Sequence, residues 1–265
     1  AKKLNIPVFW FVAPQLWAWK ENRIDYLKKY VDKLFVIFPF ELDFFSKRHI
    51  STFYFGHPLI DLLKPRIEHT KISKKPIIVL MPGSRKQEIK NMLPIMLLAS
   101  QKFTDYRFVI ICAQGIESKF YEDIVCDYDV ELFFDKKILE SAYCALVASG
   151  TASLELAILK IPQVVCYKLN WISYLIAKFF TKVQYISMVN ILAKKNVVTE
   201  LIQNNFNVLN IQNELAFILA KKNRKKILEE YNEIVNDLGP PGSFQKISNL
   251  IYSDLTVIIN NAAKR

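Results

Sequence analysis

The chain has 265 residues, 52% hydrophobic and 23% charged, which excludes a disordered, collagen-like or coiled-coil protein. One large domain or two smaller ones fit this length, and either can bury a substantial core. Lys and Arg number 36 against 25 Asp and Glu, a formal net charge of +11. Only seven of the basic residues are Arg, the side chain suited to bidentate phosphate and base contacts. The excess of Lys accompanies abundant Ile, Asn and Phe, so it reads as compositional drift, and no nucleic-acid partner is expected. An anionic membrane surface or a phosphorylated small molecule fits better.

In chain order, strands are expected at 7–12, 33–38, 53–55, 76–81, 107–113, 130–134, 143–148 and 163–167. Helices are expected at 20–31, 41–48, 86–103, 117–127, 136–142, 151–160, 171–181, 197–204, 212–221, 223–236 and 243–259. From 76 to 167 strand and helix alternate. Helix-length connections require right-handed crossovers and a parallel sheet covered on both faces. The fold class is α/β, doubly wound. The segment 57–75, with Pro58, Pro65 and dense charge, reads as a linker, and Gly239-Pro-Pro-Gly242 ends a helix. The expected units are a truncated one at 1–62, a complete one at 70–236, and a tail helix at 240–265 that packs on the first unit or on a partner.

Ala1 stands where Met would start a chain, and Ala1-Lys-Lys-Leu-Asn-Ile-Pro7 resembles neither a signal nor a transit peptide. The chain therefore reads as starting inside a protein. No apolar run reaches the roughly 18–20 residues that span a bilayer. Cys112, Cys126, Cys144 and Cys166 form no CxxC pair, so neither a zinc site nor a disulfide framework is expected, and a reducing cytosol fits.

The six glycines make two strand-to-helix junctions conspicuous. In Ile77-Ile-Val-Leu-Met-Pro-Gly83-Ser84-Arg85-Lys-Gln-Glu88 a buried strand reaches a turn, where Ser84 can cap a helix starting near Lys86 and Glu88 stands in capping-box range. Free N–H groups, a hydroxyl and a fixed cation are what a phosphate prefers. In Ala148-Ser149-Gly150-Thr151-Ala-Ser-Leu-Glu155 a second strand reaches a small-residue turn, and a carboxylate one helical turn inside can hold a ribose diol. Each junction also reads as an ordinary capped turn. Together, at the carboxyl ends of strands in one open sheet, they point to a nucleotide-diphosphate site. Neither a G-x-G-x-x-G nor a Walker A motif is present.

Elsewhere, Trp171–Lys182 presents an apolar helical face that reads as core or as lipid contact. Asn190, in an apolar setting, reads as a placed hydrogen-bonding group or a turn residue. Gln15, Trp17 and Trp19 follow the first strand. His57, after the third, is a candidate base or a structural histidine. No metal-spaced cluster appears.

These motifs resemble those of lipid-A-disaccharide synthases, bacterial glycosyltransferases with two Rossmann-like domains (the GT-B class). The resemblance rests on six segments in order: Ala13–Lys20 with Arg23, Phe38–Glu41, Gly56–Asp61, Leu80–Arg85 with Glu88, Ala148–Glu155, and Tyr185–Ala193 with Glu200. It covers about 10–204; the tail fits loosely. It implies two doubly wound parallel-sheet domains, the first truncated, and transfer of 2,3-diacylglucosamine from UDP to 2,3-diacylglucosamine 1-phosphate, with no cofactor. Gly83, Ser84, Arg85, Glu88, Ser149, Gly150, Thr151, Glu155, Tyr185 and Asn190 are then nucleotide-sugar residues, and Gln15, Trp17 and Trp19 lie on the acceptor side. The family's early glycine-rich loop and essential acidic residue have no counterpart here, which leaves His57 as the catalytic candidate. The resemblance further implies a peripheral protein at the inner face of the inner membrane, with a homodimer left open. Two alternatives stand: a UDP-sugar-binding remnant without turnover, or another GT-B nucleotide-sugar enzyme.

Overall fold

The computed structural model describes residues 1–4, 6–18, 21–63, 75–168 and 184–262. They form two compact units: 1–63 with 235–262, and 75–168 with 184–234.

The first unit holds a parallel sheet of β1 (Phe9–Phe11), β2 (Lys33–Val36) and β3 (Thr52–Tyr54), in the order β1-β2-β3. Helices α1 (Ile24–Tyr30), α2 (Pro39–Ser46) and α3 (Pro58–Leu62) connect or follow these strands. Leu34, Val36, Leu27, Phe45 and Ile24 pack into one core. Full burial of each such side chain contributes roughly 1.5–3 kcal/mol. Pro58 at the first position of α3 fits the fixed φ of a helix start.

The last helix of the chain, Ser243–Ala262, belongs to this unit. Its start is held by Asp61 of α3, which accepts from Ser243 Oγ at 2.6 Å and Phe244 N at 3.1 Å. Just before that helix, the chain passes Gly56 so closely that a Cβ there would lie 2.8 Å from the Pro240 carbonyl oxygen. Gly56 also has φ +104°, a conformation that side chains rarely adopt. His57 N donates to Leu238 O (3.1 Å), and Tyr54 Oη donates to the same carbonyl (2.8 Å).

The second unit is a six-stranded parallel sheet: β4 (Ile77–Met81), β5 (Arg107–Ile111), β6 (Glu131–Phe133), β7 (Ala142–Ala148), β8 (Gln163–Tyr167) and β9 (Glu200–Ile202). Their order is β6-β5-β4-β7-β8-β9. All five residues of β4 are buried, as are four of five in β8, whereas the outer β6 has none. This gradient is the reason the central strands are continuous apolar runs, since both faces are covered by helices. Those helices are α4 (Lys86–Ser100), α5 (Ser118–Val125), α6 (Thr151–Ile158), α7 (Met188–Ala193), α8 (Val208–Leu219) and α9 (Lys221–Asp237); Ser243–Ala262 is α10.

Several sequence expectations need correction. The segment 197–204 is not a helix: Glu200–Ile202 forms β9 and Gln203–Asn205 a 3-10 turn. Val197, Val198, Thr199 and Ile202 are β-branched, and their preference for a pleated surface prevails once β8 offers an edge. Lys136–Ser141 is a 3-10 helix rather than an α-helix. The short helices α3 and α7 were not anticipated, because five or six residues carry too little periodicity to read. The expected helix 171–181 lies outside the described residues.

Candidate functional site

The strand order reverses between β4 and β7, each paired to the other and to an outer neighbour. Loops leaving the carboxyl ends of two such strands part company, one to each side, and open a crevice at the switch point. Here it is a cleft of about 970 Å³.

One wall comes from the junction after β4. Gly83, Ser84, Arg85 and Glu88 line it. Ser84 does not cap α4, contrary to the sequence expectation; Arg85 is the N-cap residue, without a side-chain cap bond. Glu88 instead folds back over the turn, its carboxylate accepting from Ser84 N (3.1 Å) and from Arg85 Nη1 (2.7 Å). The Arg85 side chain remains 79% exposed, so the guanidinium is tethered at one end and open to the cleft.

The opposite wall is the junction after β7, where Ser149, Gly150, Thr151 and Glu155 line the cleft. Gly150 has φ +151°, and a Cβ there would meet nothing within 4 Å. That open space leaves room for a ligand against the backbone at the start of α6. The Ser149 hydroxyl donates to Ile186 O at 2.9 Å, tying the turn to the segment before α7. Ser153 Oγ donates to Gly150 O at 2.8 Å. Glu155 is paired with Lys136, Nζ to Oε2 2.6 Å.

Lys136, Asp135, Gln114 and Cys112 also line the cleft, and sequence reading singled out none of them as site residues. The available signal was position: 134–136 directly follow the carboxyl end of β6 and 112–114 that of β5. The Cys112 thiol is pushed up to about 11 by burial, which keeps it protonated and poorly nucleophilic at neutral pH.

Tyr185 and Asn190 do not join this wall. Asn190 is fully buried, with all four amide hydrogen-bonding positions filled. Its Nδ2 donates to Val198 O (2.8 Å) and Glu200 Oε1 (2.9 Å), and its Oδ1 accepts from Val197 N (2.9 Å) and Val198 N (3.0 Å). Glu200 also accepts from Ile186 N and Ser187 N, both at 2.9 Å. The Tyr185–Ala193 motif with Glu200 is thus a polar knot that fixes the loop before α7. Asn190 has no donor or acceptor left for a sugar, which corrects its assignment as a ligand residue.

In the first unit, Trp17 Nε1 donates to Glu41 Oε1 (2.9 Å), and Glu41 Oε2 accepts from Ile37 N (3.2 Å) and Phe38 N (3.1 Å). Burial raises the Glu41 carboxyl, against the opposing effect of those bonds. Gln15 is exposed, and Trp19 lies outside the described residues. His57 is buried and is the N-cap of α3: its Nδ1 accepts from Leu59 N at 3.1 Å. Burial lowers its pKa to about 4. An imidazole so weakly basic, with one nitrogen committed to a cap, is a structural group, and this corrects its assignment as the base.

A doubly wound parallel sheet with two glycine junctions facing each other at its switch point defines a Rossmann-like unit of the GT-B fold class. Solved structures share this fold. The UDP complex of S. aureus MnaA superposes with a TM-score of 0.64 at 14% identity, covering 97% of this chain and 71% of that one. The UDP-GlcNAc 2-epimerase of Neisseria meningitidis, bound to UDP-GlcNAc, gives 0.55 at 17% identity, covering 99% and 71%. The family described as LpxB, lipid-A-disaccharide synthetase, matches residues 1–250. The lipid-A-disaccharide synthase of Syntrophus aciditrophicus (strain SB) is 34% identical over 93% of this chain and 69% of its own length. The chain belongs to the lipid-A-disaccharide synthase family and is a glycosyltransferase of lipid A biosynthesis.

Proposed function

We propose that the cleft of the second unit binds the UDP part of a UDP-2,3-diacylglucosamine donor. The chain then transfers the sugar to 2,3-diacylglucosamine 1-phosphate, giving the β-1,6-linked disaccharide 1-phosphate and UDP. The observation that carries this reading is the convergence of Arg85, the open Gly150 turn and Glu155 on one cleft at the switch point. When the sugar leaves, negative charge develops on the diphosphate, and fixed cations with unpaired N–H groups at a helix start stabilise it. The Glu155 carboxylate is suited to accept hydrogen bonds from a ribose diol.

In this reading 1–62 belongs to an acceptor-side domain that includes Gln15, Trp17 and Trp19, 70–236 is the nucleotide-sugar domain, and 240–265 is a tail helix. We further propose peripheral attachment to the anionic inner face of the inner membrane. Among the described residues no helix is long and apolar enough to cross a membrane, and the net charge of +11 favours an acidic surface. The aromatic stretch 171–182, with Lys178 and Lys182, lies outside the described residues.

The test is a titration with UDP followed by an assay with both acylated sugars. Arg85→Ala is expected to weaken UDP binding by about 1.5–3 kcal/mol, the value of a charge-assisted hydrogen bond. Unchanged affinity in the folded variant would remove Arg85 from the site. UDP binding without product would favour the alternative of a nucleotide-sugar-binding unit that does not turn over alone.

A further inference from the structure

We propose that Lys136 sets the cleft's preference for a nucleoside diphosphate over the free nucleoside, by bridging the Glu155 carboxylate and the diphosphate. This deepens the reading of the cleft as a UDP site and rests on it.

Charge is the first argument. The cleft-lining residues include two cations, Arg85 and Lys136, and three carboxylates, Glu88, Asp135 and Glu155, so the lining sums to 2 − 3 = −1. A ligand with two or more negative charges is repelled by such a wall unless a cation turns spare donors toward it. Asp135 is already engaged, accepting from Lys137 N at 2.9 Å. Arg85 is held by Glu88. That contact uses one of the five guanidinium N–H groups, so Arg85 keeps donors for a ligand; Lys136 is the second cation that does, because an ammonium has three N–H groups and Glu155 Oε2 takes one of them.

Geometry is the second. The Glu155 side chain is 13% exposed and that of Lys136 56%. The carboxylate is therefore seated in the wall while the ammonium stands at its open side. Oε2 of Glu155 is occupied by Lys136, and Oε1 takes no hydrogen bond among the described residues. One oxygen is fixed and the other is left for a diol, with the remaining ammonium N–H groups beside it.

Stability does not account for the pair. An ion pair with a partner this exposed adds little, because water screens it and two long side chains lose freedom to form it. What it does accomplish is to bring the 134–136 loop, from the far edge strand β6, onto α6 at the cleft.

The proposal is tested by NMR titration of the full chain with UDP and with uridine, for wild type, Lys136→Met, Lys136→Arg and Arg85→Ala. Lys136→Met is expected to weaken UDP about tenfold or more while changing uridine by less than about twofold. Lys136→Arg is expected to recover most of the UDP affinity, because a cation is restored. The salt dependence of UDP binding should be shallower in Lys136→Met than in wild type. Equal losses for UDP and uridine would show that Lys136 acts only by seating Glu155, and would overturn the proposal. So would an unchanged UDP affinity in Lys136→Met alongside a weakened Arg85→Ala, which leaves the cleft reading intact. If neither variant alters UDP binding, or wild type binds no UDP, the cleft reading itself falls.

Discussion

Asp61 and Ser243, 182 residues apart, meet at 2.6 Å, the carboxylate accepting from the hydroxyl at the start of α10. With Gly242 N and Phe244 N also donating to it, one side chain from α3 supplies the cap that α10 lacks within its own sequence. Burial alone would raise the Asp61 carboxyl, but these hydrogen bonds together hold it below the usual carboxylate range.

Asp61→Ala should cost about 1–2 kcal/mol of the attachment of α10, the value of a lost cap with its charge-assisted bonds. Hydrogen exchange at 243–250 should accelerate more than exchange in β4. In wild type the same contribution is present above the unfolded Asp value near 4 and is lost as pH falls through the lower folded value. Exchange in α10 that is equal in the two proteins would show that the cap is dispensable.

Asn190→Ala should destabilise the second unit by about 2–4 kcal/mol, because it strands the buried Val198 N–H and carbonyl groups and removes a donor from Glu200. Denaturant unfolding measures this loss. UDP affinity of the fraction that remains folded should be close to wild type, since the side chain has no free hydrogen-bonding position. A large affinity loss with unchanged stability would return Asn190 to the ligand site.

His57→Asn keeps an acceptor at the N-cap of α3 but removes the titrating ring. In wild type the folded value of about 4 lies below the unfolded value of 6.5, so between them the unfolded chain binds the proton and stability rises with pH. The contribution is present at pH 7 and is lost as pH falls from about 6.5 toward 4. The difference in unfolding free energy between the two proteins should therefore drift by about 1–3 kcal/mol across that window. A constant difference would contradict a buried, neutral His57. If the chain turns over, His57→Asn should also retain most of its activity.

The residues of 76–167 determine most of the second unit by themselves. Continuous apolar runs such as Ile77–Met81 need both faces covered, and helix-length connections between them permit only a parallel, doubly wound sheet. That Gly83-Ser84-Arg85 and Ser149-Gly150-Thr151 face one cleft was legible for a related reason, since carboxyl ends of parallel strands share one edge of the sheet wherever they fall in sequence. Pairings between distant segments were not legible. Lys136 reaching Glu155, Asp61 capping Ser243, and Gly56 yielding space to Pro240 each depend on how elements pack, and no local pattern encodes that. The same holds for Asn190 and His57. From sequence each is a polar residue in a suggestive place, but only burial and the count of filled hydrogen-bonding positions separate a group that serves a ligand from one that serves the fold.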